Sequence, residues 1–120
     1  MKMRSTLVIN QKPPHSSMAT REALDCALAT AAFGVEVGVL FIGDGIFQIH
    51  KEQLTKSAGV KNTAAIFGSL DLYDIKQVFV RQADLSERAL TLSDLAINAQ
   101  LVDDERIKEL LIQFDNLLSF

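Results

Sequence analysis

The segment Val35 to Phe47, VEVGVLFIGDGIF, constrains this chain more than any other. It is short and almost continuously apolar, with only Glu36 and Gly38 interrupting it before Gly-Asp-Gly follows. Such a run reads as a strand buried on both faces, because neither side alternates toward water. A strand of that kind needs helices over both sides of its sheet, which argues for an α/β layered domain. The acidic, glycine-flanked loop then falls at a strand's carboxyl end, where open α/β sheets bind their ligands.

The rest of the chain supports the same architecture. Thr6 to Asn10 reads as a first strand, ended by Lys12-Pro13-Pro14-His15. Ser16 or Ser17 is placed to cap a helix running to about Phe33, with Gly34 closing it. Leu24, Ala27, Leu28 and Ala31 mark one face of that helix; Ala19, Ala23, Cys26 and Phe33, with Thr30, mark the other. A helix apolar nearly all round is expected to be buried twice, against its sheet and against a partner.

After the strand Val37–Ile42, the stretch from Ile46 to Ile49 alternates briefly, and polar His50 to Asn62 reads as an exposed loop or ragged turn. Thr63 to Tyr73 has helical spacing, and Gln77 to Arg81 is a further strand. Asp84 and Glu87 resemble a capping pair for a short helix through Leu90. Leu95 to Asn98 reads as a short strand, and Asp103 as the cap of a helix with Ile107, Leu110, Leu111 and Phe114 on its stripe. Leu117 to Phe120 supplies the last strand. The expected fold is therefore one domain over 1–120, a three-layer sandwich with a mostly parallel five-stranded sheet.

With 120 residues and 48% apolar content, a core of ordinary size needs neither disulfides nor a metal. The net charge of −3 and the lack of a Lys/Arg block argue against direct nucleic-acid binding. No run reaches transmembrane length and the first residues lack a signal-peptide core, so a cytoplasmic location is expected.

Cys26 is the single cysteine. Mid-helix and beside Asp25, it lacks the positive surroundings of a reactive thiol and reads as structural. His15 and His50 stand alone in polar segments with no second ligand at metal spacing. Asp44 has two readings: a group for a substrate hydroxyl or cation, or a turn residue satisfying backbone donors. Phe47 is either core or an interface anchor. Arg81, at a strand-to-helix junction, either attracts an anion or pairs with Asp84. No cofactor motif, G-x-G-x-x-G or P-loop, is present.

Four segments in order resemble the TusC/DsrF family of DsrE-like sulfur-relay proteins. They are Arg21-Glu22-Ala23-Leu24-Asp25, Phe41 to Gln48 (the family's F-x-x-D-G-V-x-Q), Leu72-Tyr73-Asp74-Ile75, and Asp84 to Leu90 (its S-L-x-E-R-G-L). The chain also stops, as that family does, on an apolar end at Phe120. Ala23 and Ala89 depart from it by replacing frequent glycines, a difference expected to touch helix packing.

The resemblance implies a non-catalytic subunit that assembles with TusB-like and TusD-like chains into a dimer of heterotrimers. That complex feeds a TusE-like acceptor toward 2-thiolation of the tRNA wobble uridine; in DsrF-type relatives it serves sulfur oxidation. In the TusD/DsrE-like subunit a sulfur-carrying cysteine follows a central strand, and the matching position here is at or near Arg81, which cannot form a persulfide. Asp44, Phe47, Tyr73 and Arg81 are the expected partner contacts, with a homo-oligomer possible for the isolated chain. Two other readings compete: a sulfurtransferase using Cys26, and a small-ligand module centred on Gly43-Asp44-Gly45.

Overall fold

Side-chain alternation along the central strands sets the layers. A computed structural model describes residues 5–12, 19–50, 70, 75–95 and 97–120, with the backbone alone for Ala19, Thr20 and Arg21. Its elements are β1 (Ser5–Asn10), α1 (Ala19–Ala32), β2 (Glu36–Phe41), a 3-10 helix (Gly43–Ile49), β3 (Gln77–Arg81), α2 (Gln82–Glu87), a short 3-10 turn (Leu92–Asp94), β4 (Gln100–Val102), α3 (Asp104–Gln113) and β5 (Asn116–Ser119). The five strands form one sheet in the order β4-β3-β2-β1-β5. Every neighbouring pair is parallel, so the sheet is wholly rather than mostly parallel.

Val8, Val37, Val39, Phe41, Val78 and Val80 face α1, packing with its Ala23, Leu24 and Ala27. Leu7, Ile9, Leu40 and Phe79 face the other way, onto Leu110 and Phe114 of α3. Alternate residues thus enter two separate cores, which is why β2 is apolar at consecutive positions. At roughly 25 cal/mol per Å² of apolar surface removed from water, these two cores are the main stabilising term.

Several expectations need correction. Ala23 lies in the core with Leu24 and Ala27, so the outward side of α1 carries half-buried Cys26 and Thr30 and then Phe33, which is 88% exposed. The alternation from Ile46 to Ile49 belongs to the 3-10 helix, where Ile46 and Ile49, three apart, share one face and enter the core. The strand expected over Leu95–Asn98 reduces to an isolated antiparallel bridge between Leu95 and His50, and β4 begins at Gln100.

Asp103 caps α3 as expected, accepting from the Arg106 N–H at 2.8 Å. Leu111, placed on the buried stripe of that helix, is 38% exposed. The helix expected over Thr63–Tyr73 lies outside the described residues, save Leu70, which is buried. His15, Ser16, Ser17 and Tyr73 also lie outside them.

Candidate functional site

β1 through β4 deliver their carboxyl ends to one edge of the sheet, and the polar residues that follow them interlock there. β2 ends in Gly43-Asp44-Gly45, which winds into the 3-10 helix; Gly43 takes φ +55°, a conformation open to glycine. Gly45 lies against the end of β1, where an added Cβ would strike the Asn10 carbonyl. Absence of that carbon lets the two backbones approach.

Asp84 is the hub of this edge. It was expected to open a helix, but α2 starts two residues earlier, at Gln82, and Asp84 sits in its first turn. Only 6% exposed, its carboxylate turns back toward the sheet. Oδ2 accepts the Gly43 N–H at 2.7 Å and Oδ1 accepts from Arg81 Nη1 at 3.0 Å. The loop after β2 is therefore held by a side chain placed by β3 and α2.

Arg81 ends β3 and reaches the other way as well. Its Nε donates to Asp104 Oδ1 at 2.8 Å, and its Nη2 to Oδ2 at 3.2 Å, a two-pronged pair with the first residue of α3. The hydrogen bond from Arg81, followed by its charge, lowers the Asp104 pKa below the ordinary aspartate value. Arg81 is correspondingly raised, first by the hydrogen bond to Asp104 and then by the charge of Asp84. Of its two expected roles, the geometry gives the pairing with Asp84 and adds Asp104.

A second arginine completes the edge. Arg88 Nη2 donates to Asp44 Oδ1 at 2.9 Å, and Nη1 to the Asp84 carbonyl at 3.0 Å. Its guanidinium lies 5.8 Å from the Phe47 ring centre, within cation–π range. Phe47 in turn meets His50 edge-on at 6.4 Å. Asp44, Phe47 and Arg81 thus belong to one connected edge, with Asp44 an ion-pair partner and Phe47 half-buried. His50 is half-buried against this cluster rather than solvated. Arg88 and Asp104 went unanticipated; Arg81, Asp84 and Arg88 at spacings of three and four were the available signal, since such residues share a helix face.

Cys26 is half-buried on α1, within a helix packed against β1 and β2 and apart from this edge in the chain's topology. Among the described residues, no group of three or more His, Cys, Asp or Glu is placed to hold a metal ion. Likewise among them, no helix is long and apolar enough to cross a membrane.

A wholly parallel five-stranded sheet covered on both faces, with loops interlocked at its carboxyl edge, defines a three-layer α/β protein. The same fold appears in the crystal structure of the ychN protein from E. coli, with a TM-score of 0.82 over 99% of this chain and 100% of that one, at 15% identity. Sequence then gives the family: the chain belongs to the DsrE/DsrF-like family, matched over residues 4–120. It is 43% identical over 107 residues to a protein TusC homolog of Vibrio parahaemolyticus, covering 89% of this chain and 91% of that protein. It is 34% identical over 116 residues to a protein TusC homolog of Pseudomonas aeruginosa, covering 97% and 98%. The intracellular sulfur oxidation protein DsrF of Allochromatium vinosum is 30% identical over an alignment of 132 residues, with 98% and 97% covered. These relatives make the chain a homologue of proteins named TusC homolog and DsrF.

Proposed function

We propose that residues 1–120 act as one domain and as a non-catalytic cytoplasmic subunit of a sulfur-relay complex serving 2-thiolation of the tRNA wobble uridine. Its partners on this reading are TusB-like and TusD-like chains, in a dimer of heterotrimers that hands sulfur to a TusE-like acceptor. Similarity to proteins named TusC homolog supports the relay role. The observation that carries the reading is Arg81. At the end of β3, where the resemblance puts a sulfur-carrying cysteine in the TusD/DsrE-like subunit, this chain has a guanidinium tied to two carboxylates. A side chain so engaged shapes an edge; it has no thiol with which to carry sulfur.

Asp44, Phe47, Tyr73 and Arg81 are the proposed contacts, and exposed Phe33 on the far side of α1 marks a second surface for a sister chain. Co-expression with TusB-like and TusD-like chains is the test. One stoichiometric particle on a sizing column, together with loss of 2-thiouridine when the gene is deleted, is expected. Separate elution of the three chains overturns the reading, as does a Cys26 persulfide whose loss in Cys26→Ser abolishes transfer.

The match to the Allochromatium sulfur oxidation protein favours a second reading, a DsrF-type subunit of a sulfur-oxidation complex. A deletion strain that keeps its 2-thiouridine but fails to oxidise stored sulfur would select it.

A further inference from the structure

β5 ends the sheet, and among the described residues β1 is its only strand neighbour. Leu117 stands beside Leu7 and Leu118 beside Val8. Partners in register face the same way, so Leu117 lies on the α3 side of the sheet and Leu118 on the α1 side. Leu7 and Val8 are buried, but Leu117 is 45% exposed and Leu118 39%. Both covering layers therefore stop at β1, and one strand shows water a leucine on each of its faces.

Phe120 fixes where the backbone of β5 points. Its N–H donates to the Ile9 carbonyl at 2.9 Å, and its carbonyl accepts the Gln11 N–H at 3.1 Å. Backbone groups alternate sides residue by residue, so Leu118 also turns to β1, while Leu117 and Ser119 turn their N–H and C=O groups outward. A helix laid over one face would leave the other leucine and both outward residues uncovered. A strand meets all of them at once, because its side chains extend both faces while its backbone pairs with the edge.

The strand that fits is β5 of a second copy. Set antiparallel about a two-fold axis through Leu118, Leu117 of one copy faces Ser119 of the other. Those are the residues whose backbone groups point outward, so each facing pair exchanges both its hydrogen bonds. Leu118 then meets its own counterpart at the position where side chains across an antiparallel pair stand closest. β5 carries no charged residue to oppose the approach, and Asp115 just before it is held by the Ser5 N–H at 3.0 Å. Edges that stay single are commonly blunted by charge; β4, the opposite edge, leads directly into Asp103 and Asp104. Pairing β5 with β4 of another copy would also repeat without end, whereas a two-fold contact closes. We infer that this chain forms a homodimer through β5, joining two sheets into one. Such a dimer needs none of the sister chains proposed above. With 4 residues a side against the roughly 20–30 of a standard interface, its dissociation constant is expected on the order of 10 μM.

Sedimentation equilibrium of the purified chain, alongside Leu118→Lys and Leu118→Glu, is the test. Leu118 is exposed, so the monomer tolerates either charge, but each variant alone sets like charges face to face across the axis. Dimerisation should weaken by about tenfold or more in each variant and return when the two are mixed in equal amounts. A wild type that stays monomeric up to about 1 mM overturns the inference. So does a dimer indifferent to both charges, or one that the mixture fails to restore.

Should either variant misfold, backbone amide exchange of the wild type decides the question. The Leu118 N–H, turned to β1, should be protected at every concentration. Those of Leu117 and Ser119 should slow by about tenfold or more only as the dimer forms. Uniform behaviour of the three amides overturns the pairing. Slowing of Leu117 and Ser119 only after TusB-like or TusD-like chains are added gives the edge to a sister subunit and overturns it as well.

Discussion

The Asp84 carboxylate accepts the Gly43 N–H at 2.7 Å, so the residue that follows β3 holds the loop that follows β2. The same group faces Arg81 and lies 3.7 Å from Arg88, which makes one buried carboxylate the tie between two crossover connections. Asp84→Ala leaves the Gly43 N–H without its acceptor and Arg81 with Asp104 alone. A hydrogen bond to a charged group is worth roughly 1.5–3 kcal/mol, so a loss of about 2 kcal/mol is expected. Urea denaturation measures it, and a change under about 0.5 kcal/mol would show that the tie contributes nothing.

Ala89 has φ +55°, and it stands immediately after the cap of α2. The Leu90 N–H bonds the Leu85 carbonyl at 2.9 Å and the Ala89 N–H bonds the Ser86 carbonyl at 3.1 Å. Those two bonds are a Schellman ending, which places its C′ residue in the left-handed region. A Cβ there costs on the order of 1 kcal/mol. Ala89→Gly should therefore stabilise the chain by about that amount, read as a raised urea midpoint with an unchanged slope. A neutral or lower midpoint would place the strain elsewhere.

That same residue shows where sequence reasoning stops. Replacement of a frequent glycine at Ala89 was expected to alter helix packing, but its consequence is backbone conformation, which no side-chain pattern reports. β1, β2, β3 and α3 were legible because burial on two faces leaves an unbroken apolar run in those strands and because Asp103 is a strong cap; β4 was misplaced, since only Val102 of its three residues is buried. The 3-10 helix was not, since three residues per turn over Gly43–Ile49 imitates neither strand nor α-helix. At the edge, Arg81 and Asp84 could be paired from their spacing. Asp104 lies 23 residues from Arg81 and meets it only because β4 pairs with β3 and brings the start of α3 alongside. Buried Asn10 and Gln48 gave no warning, because a polar residue at a strand end ordinarily faces water.

Asp104 gives the acid limb of stability a defined origin. Arg81, by hydrogen bond and then by charge, lowers its pKa in the folded chain. A folded pKa below the unfolded one stabilises the chain above the unfolded value, about 3.9 for aspartate, and the contribution is lost as pH falls through the folded value. Wild type should thus lose stability on acidification below about pH 4 more steeply than Asp104→Asn. Arg81→Met should flatten the same limb. Urea midpoints taken across that window check both, and parallel curves would remove Asp104 from the account.

Gly43 and Gly45 flank Asp44, yet they should respond differently to alanine. At Gly43 an added Cβ meets nothing within 4 Å, so the only cost is the left-handed φ of +55°, about 1–2 kcal/mol. At Gly45 the new carbon strikes the Asn10 carbonyl, which is itself bonded to the Ile42 N–H at 3.1 Å. Backbone engaged in that way cannot swing aside as a flexible side chain can, so β1 and the 3-10 helix must separate. Overpacking costs typically 1–3 kcal/mol, and here it also breaks the Asn10–Ile42 bond. Gly45→Ala should accordingly be the worse of the two by about 1 kcal/mol or more. Because the 2.6 Å bond from Gln48 Nε2 to the Lys12 carbonyl depends on the same approach, Gly45→Ala should also speed amide exchange at Ile42 and shift the Gln48 side-chain amide signals. Equal destabilisation by the two alanines, with Gln48 undisturbed, would mean that the closeness of Gly45 to β1 is incidental to how this edge is built.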